Sequence, residues 1–218
     1  MMKIIAIADT HLFTEGYAIP PGDMLIHAGD HGRHGGLDEM AAEAAWLASQ
    51  PHPVKVAIAG NHDWAFVHSP AEARRIFADA GIHYLEDSDT QLLGLSLWGS
   101  PWQPEYNDWA FNLPRGEALA ARWALIPDGL DILITHGPPA GIGDRSHYGA
   151  RRSGCAALRA RVEIVKPKLH LFGHIHEDGG AWHLNGTWFV NCTSWECDRP
   201  ATVIEWDPDD GVMSVSCG

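Results

Sequence analysis

Short apolar runs punctuate this chain, and each ends in a glycine or in a residue that can bind metal. The runs are Lys3 to Ala8, Met24 to Ala28, Val54 to Ala59, Ile132 to Thr135 and Lys168 to Phe172. They are rich in Ile, Leu and Val and do not alternate with polar residues, which is how strands buried on both faces read. Between them the period becomes helical. Leu37, Met40, Ala41, Ala44, Leu47 and Ala48 form one stripe. Ser69-Pro70-Ala71-Glu72 has the form of a capping box with proline at the first helical position, and predicts a helix through about Asp79, stopped by Gly81. Ser153 to Val165 predicts another helix, ended by Pro167.

After His176 the pattern changes. Ala181 to Leu184, Thr187 to Asn191, Thr202 to Trp206 and Val212 to Ser216 predict short strands, with Asn185-Gly186 as a hairpin turn. The class is therefore α/β: a front half alternating strand and helix, followed by an antiparallel tail. Two sheets packed face to face with helices outside satisfy both halves. No repeat, linker or low-complexity run interrupts the chain, so residues 1–218 are expected to form one domain.

In such folds the loops leaving the C-terminal strand ends gather in one crevice, and five blocks of candidate donors stand at those ends. They are Asp9-Thr10-His11, Gly29-Asp30, Gly60-Asn61-His62-Asp63, Thr135-His136-Gly137 and Gly173-His174-Ile175-His176. Together they offer Asp9, His11, Asp30, Asn61, His136, His174 and His176. Seven nitrogen and oxygen donors suit two divalent cations sharing one carboxylate, and Asp30 is the candidate bridge. No cysteine lies among them, which disfavours a closed structural zinc site.

Each block also has a plain structural reading. Asp-x-His triplets arise by chance, although in extended chain both side chains share one side and can grip one ion. Gly-Asp is common at strand ends. A His-x-His pair can serve two neighbouring ions or be coincidence among the fourteen histidines. His52, His68, His83 and His183 are expected to be ordinary surface or core residues. His62 is surplus to the seven donors, and an unligated imidazole beside the ions can donate a proton to a departing oxygen. Asp63 either orients His62 or caps the next turn. His31, Arg33 and His34 either touch a substrate phosphate or form a solvated loop; His31 is the stronger substrate candidate.

The segment from Trp98 to Phe111 holds much of the aromatic content without a clear period. Its rings, Trp109 among them, can stack on a base or pin a long loop to the body.

Composition narrows the partners. The net charge of −13 argues against binding duplex DNA. It does not exclude a phosphate substrate, because two divalent ions would add positive charge where that substrate sits. Nothing approaches the ~20 apolar residues of a membrane span. The start, Met1 to Ala8, is too short an apolar stretch for a signal peptide and leads directly to the first donors, so the reading is a cytoplasmic protein. Cys155, Cys192, Cys197 and Cys217 show no metal-type pairing and are expected to be reduced thiols.

In order, the blocks read D-x-H, G-D, G-N-H-D, T-H-G and G-H-x-H. This order resembles the signature of the calcineurin-like metallophosphoesterase superfamily across residues 9 to 176. The stretches Gly99 to Pro104, Asn107 to Gly116, Thr135 to Pro139, Gly154-Cys155 and Pro167 to Gly173 are similar to a narrower group, the brain-type metallophosphoesterase-domain proteins and their bacterial relatives. That group is in turn similar to class III cyclic nucleotide phosphodiesterases. The resemblance implies a four-layer α/β/β/α sandwich with two mixed sheets. It implies one metal held by Asp9, His11, Asp30 and His176, a second held by Asp30, Asn61, His136 and His174, and His62 as proton donor. The chain departs from the group at His31, where an apolar residue is more usual.

The expected function is a binuclear metal-dependent phosphoesterase. The first choice is a phosphodiesterase cleaving small nucleotide-like phosphodiesters, a cyclic nucleotide among them, by attack of a hydroxide bridging the ions. Mn²⁺ is the first choice of metal, with Fe, Zn, Ni or Co accepted by the same donors. The substrate candidates are Asn61, His62, His31 and Trp109, and the catalytic candidates are His62 and Asp63. A phosphomonoesterase or protein phosphatase would use the same centre behind a different pocket. A non-catalytic nucleotide-binding regulator would need a degraded donor set.

Overall fold

The computed structural model describes residues 1–146, 152–207 and 209–217. The first half runs β1 (Met2–Ile7), β2 (Met24–His27), α1 (Leu37–Ser49), β3 (Val54–Ala57), α2 (Ala65–His68), α3 (Pro70–Asp79) and β4 (His83–Tyr84). The middle runs β5 (Ser88–Leu92), β6 (Leu95–Ser100), β7 (Gln103–Pro104), β8 (Asn112–Leu113), α4 (Glu117–Trp123) and β9 (Ile132–Thr135). The remainder is α5 (Ala156–Val165), β10 (Leu169–Phe172), β11 (Gly180–Leu184), β12 (Thr187–Asn191), β13 (Thr202–Asp207) and β14 (Gly211–Ser216).

Two six-stranded sheets result, in the orders β14-β13-β1-β2-β3-β4 and β11-β12-β10-β9-β6-β5. The first is parallel from β1 to β4 and antiparallel at its β13–β14 edge; the second has a parallel centre and an antiparallel strand at each edge. Ile4, Ala6, Ile26 and Val56 of the first sheet share one apolar layer with Leu97, Ile132, Ile134 and Leu171 of the second. The alternate residues Ile5, Ile7 and Leu25 pack outward on Met40 and Leu47 of α1 and Phe77 of α3. Trp98, Leu133 and Phe172 pack outward on Trp123 of α4 and on Leu158 and Val162 of α5. Both faces of each central strand are thus covered, which explains the unbroken apolar runs. The layers are α/β/β/α, as the resemblance implied.

Several expectations need correcting. The tail is not one antiparallel unit. β12 runs parallel to β10, and β13–β14 cross to the first sheet beside β1. The capping box is not made: Ser69 caps α3 with no side-chain bond, and the helix start relies on Pro70. α5 begins three residues later than expected, at Ala156, with the Cys155 sulfur accepting the Leu158 N–H as its cap. The aperiodic aromatic segment begins inside β6, whose Trp98 is core. All four cysteines are free. Among the described residues, no helix is long and apolar enough to cross a membrane.

Candidate metal centre

The parallel strands β1, β2 and β3 end at the same rim as β9 and β10, and all seven candidate donors stand just beyond those ends. The two sheets are tied together there. His136 donates from Nδ1 to the Ala28 carbonyl at 2.9 Å, and the His174 N–H reaches both carboxylate oxygens of Asp9 at 3.1 and 3.0 Å. The donors fall into two groups. Asp9, His11 and His176 form one, and Asp30, His136 and His174 the other, each with ligand atoms within 4.8 Å of one another. Asp30 lies between them, with Oδ2 at 3.3 Å from His136 Nε2 and 3.8 Å from His11 Nε2. Asn61 Oδ1 approaches His136 Nε2 at 2.9 Å.

The local backbone is unusual. Asp9, His11, Asp30 and His174 have φ of 59°, 45°, 61° and 69°. Such left-handed conformations cost ~1–3 kcal/mol for non-glycine residues and persist where the surroundings over-determine them. Asp9 and His11 therefore converge through a left-handed turn, not along extended chain as expected. Gly60 shows how tight the packing is: a Cβ there would collide with Asp30 and reach 2.7 Å from His136 Cε1.

The donor set fits divalent cations. His11 and His136 each spend Nδ1 on a backbone carbonyl, Gly32 and Ala28, at 2.9 Å. In the neutral ring their Nε2 lone pairs would then be directed at an ion, which displaces the proton that Nε2 otherwise carries. The carboxylates draw positive charge inward. Burial acts to lower the pKa of His136, but Asp30 above all raises it, to about 9. His11 is likewise raised against its burial by Asp30 and Asp9. Burial would raise Asp30, yet His136 and His11 hold it well below the usual carboxylate range. His174 is pushed down to about 4, by burial first and then by His136, and so offers a neutral ring.

His62 stands at the edge of the centre. Its N–H reaches Asp30 Oδ1 at 2.9 Å, and its Nδ1 lies 2.8 Å from the Arg33 carbonyl. Its ring sits edge-on to His11 at 4.6 Å and 4.1 Å from Trp109. Trp109 lies in a cleft of about 340 Å³ that also exposes Asp30, Asn61, His62, His174 and His176. Trp98 and Trp102 serve to pin the segment, as does Ala110, whose N–H binds the Asn61 carbonyl at 3.0 Å.

Two expectations fail here. His31 is not a substrate group. It has no exposed surface, gives Nε2 to the Ile58 carbonyl at 2.9 Å and stacks on His27 at 3.9 Å. Asp63 does not touch the His62 ring. Its buried carboxylate accepts the N–H groups of Asp30, His31 and Gly32 at 3.0 Å and of Gly60 at 2.7 Å. It is a positioning residue that holds two donor loops together. Removing it strands four buried donors, each worth ~1–3 kcal/mol if left dry. Asp63→Ala should therefore lower unfolding stability by about 3–5 kcal/mol, read from the urea midpoint. A loss below about 1 kcal/mol would contradict this role. Arg33 donates Nε to the His11 carbonyl and lies over Phe13 at 4.0 Å, and the backbone N–H groups of Arg33 and His34 bind Glu39, so this loop is structural.

Sequence reasoning missed Arg115, which lines the same cleft and donates to the Ser153 and Gly154 carbonyls at 2.8 Å. It also missed the threonines beside the donors. Thr135 donates to the Gly137 carbonyl at 2.8 Å and meets His170 Nε2 at 2.9 Å, fixing the turn that carries His136. A histidine inside an otherwise apolar strand, His170 in Leu169–Phe172, was the available signal.

The sequence pattern of the calcineurin-like phosphoesterases matches residues 2–178. The chain belongs to this family. It is accordingly a metal-dependent hydrolase of phosphoric esters. It is 38% identical over 229 residues to metallophosphoesterase domain-containing protein 1 of Homo sapiens, covering 93% of this chain and 70% of that protein. It is 38% identical over 204 residues to UPF0046 protein T07D4.2 of Caenorhabditis elegans, covering 80% of this chain and 51% of that protein. Among solved structures, the phosphopantetheinyl hydrolase of Mycobacterium tuberculosis superposes with a TM-score of 0.63 at 15% identity, over 88% of each chain. At that identity the likeness speaks for the fold.

Proposed function

We propose that this phosphoesterase is a binuclear phosphodiesterase of small nucleotide-like substrates. The observation that carries the reading is the pair of donor groups meeting at Asp30, with His62 beside them and a ligand-sized cleft in front. Asp9, His11, Asp30 and His176 would hold one ion, and Asp30, Asn61, His136 and His174 the other. Mn²⁺ is the first choice, and Fe, Zn, Ni or Co suit the same donors. When bound, such ions acidify water and neutralise charge on phosphoryl oxygens.

The chain's own groups then have defined work. Asn61, His62 and Trp109 line the cleft where the phosphoryl group would meet the centre. His62 gives its proton to the leaving oxygen, with Arg33 holding the opposite ring nitrogen. Trp109 offers its ring to a base or sugar and packs His62 in place. The cleft suits a cyclic nucleotide or another small diester.

The purified protein with Mn²⁺ should hydrolyse bis-p-nitrophenyl phosphate and lose that activity on chelation, with recovery when Mn²⁺ is restored. A panel of nucleotide diesters and monoesters run alongside decides the substrate class. Faster turnover of monoesters across the panel would replace the diesterase reading with a phosphatase. No turnover of any ester, across several metals, would replace it with a nucleotide-binding regulator.

A further inference from the structure

Behind the donors lies a layer of buried polar groups that the chemistry above does not use. Glu43, on the inner face of α1, has no exposed surface. Its Oε1 accepts the Thr10 hydroxyl at 2.9 Å. The same hydroxyl oxygen lies 3.0 Å from His27 Nε2. On its other side, His27 Nδ1 accepts the Gly29 N–H at 3.2 Å.

These contacts set the direction of the bonds through His27 and Thr10. A neutral imidazole has one N–H and one lone pair. With Nδ1 accepting, His27 carries its proton on Nε2 and donates it to Thr10. Thr10 then donates to Glu43. The bonds run in one direction, from the Gly29 backbone through His27 and Thr10 to the carboxylate. His27, His31 and Glu43 also bring ligand atoms within 4.8 Å of one another, but this bonding pattern places the His27 proton on Nε2. Nε2 of His27 has no lone pair to give.

The chain of bonds touches two of the three donor loops of the first sheet. Thr10 sits between Asp9 and His11, and Gly29 immediately precedes Asp30. Asp9, His11 and Asp30 are three of the residues held at positive φ, a conformation that only strong local constraint preserves. Glu43 is the one member from outside those strands and loops, and it ties them to α1.

We propose that Glu43 is a positioning residue for the metal centre, acting through Thr10 and His27 on the geometry of Asp9, His11 and Asp30. The proposal rests on the reading of those three as metal ligands. Groups that orient ligands from behind commonly contribute ~10–100-fold to metal affinity.

The test is Mn²⁺ binding itself, measured by titration calorimetry on protein stripped and reloaded, well below each variant's melting temperature. Glu43→Ala and Thr10→Val should weaken Mn²⁺ binding by ~10–100-fold. Glu43→Gln keeps an acceptor oxygen for Thr10 and should stay within about threefold, well short of that loss. Thr10→Val conserves volume and decides the matter if Glu43→Ala fails to fold. A merely structural role would lower the melting temperature and leave Mn²⁺ affinity unchanged, and that result overturns the proposal. Equal losses in Glu43→Ala and Glu43→Gln would overturn it as well, because charge and not the hydrogen bond would then matter. Wild-type protein that binds no Mn²⁺ would sink both this proposal and the reading of the centre. Normal wild-type binding with unaffected variants would sink this proposal alone.

Discussion

Asp30→Ala is expected to release both metal ions, whereas Asp9→Ala should weaken mainly one. Asp30 stands between the two donor groups, its Oδ2 at 3.3 Å from His136 Nε2 and 3.8 Å from His11 Nε2. A carboxylate so placed can bridge two ions ~3.5–4 Å apart, the usual spacing in two-metal hydrolytic sites. Alanine removes one ligand from each ion and the anion that offsets their mutual repulsion. Asp9 belongs to one group, 3.9 Å from His176 Nε2. Its loss also frees the His174 N–H, so some weakening at the second ion should accompany it. Asp30→Asn is the control, because it keeps an acceptor for the His62 N–H while removing the charge. The measurement is metal content after gel filtration in metal-free buffer. Full occupancy of two ions in Asp30→Ala would remove Asp30 as the bridge.

The fold was legible where hydrophobic burial is two-sided. β1, β2, β9 and β10 are covered on both faces, so their sequences are predominantly apolar short runs, and their length with the bounding glycines and donors marks them as strands. β5, Ser88–Leu92, was invisible because an antiparallel edge strand need bury little, and its residues are all half-buried or exposed. The sheet exchange of β13–β14 left no local trace, since an alternating strand pattern reports burial but not its partner. The donors were legible because glycines and strand ends frame them. His31 was misread because adjacency to Asp30 suggested exposure. The reversal at Asp30, with φ of 61°, instead leaves the next side chain buried against His27 and Glu43. Glu43 itself had a sequence signal. It falls between Met40 and Leu47 on the buried face of α1, a place where a carboxylate needs a partner.

His62→Ala should keep both ions and lose roughly 10²–10⁴-fold in rate, the usual worth of a positioned proton donor. In the proposed centre, Asp9, His11, Asp30, Asn61, His136, His174 and His176 would account for both ions without it. His62 also lies within reach of His11 and Asp30, so a ligand role is the alternative that must be separated. The ring's surroundings favour the acid. Arg33's carbonyl takes the Nδ1 proton at 2.8 Å, which leaves Nε2 as the transferring atom. His11 and Trp109 restrict the ring from two sides at 4.6 and 4.1 Å, so little reorientation is needed at the moment of transfer. A general acid matters in proportion to how badly the leaving group needs a proton. p-Nitrophenolate departs readily as an anion, so the mutant should retain most activity on its esters. A ribose alkoxide does not, and there the loss should reach its full size. The mutant-to-wild-type rate ratio, plotted against leaving-group pKa with metal content measured in the same preparations, separates the two roles. A ratio that is flat across leaving groups would overturn the acid assignment, and a mutant that has shed an ion would make His62 a ligand instead.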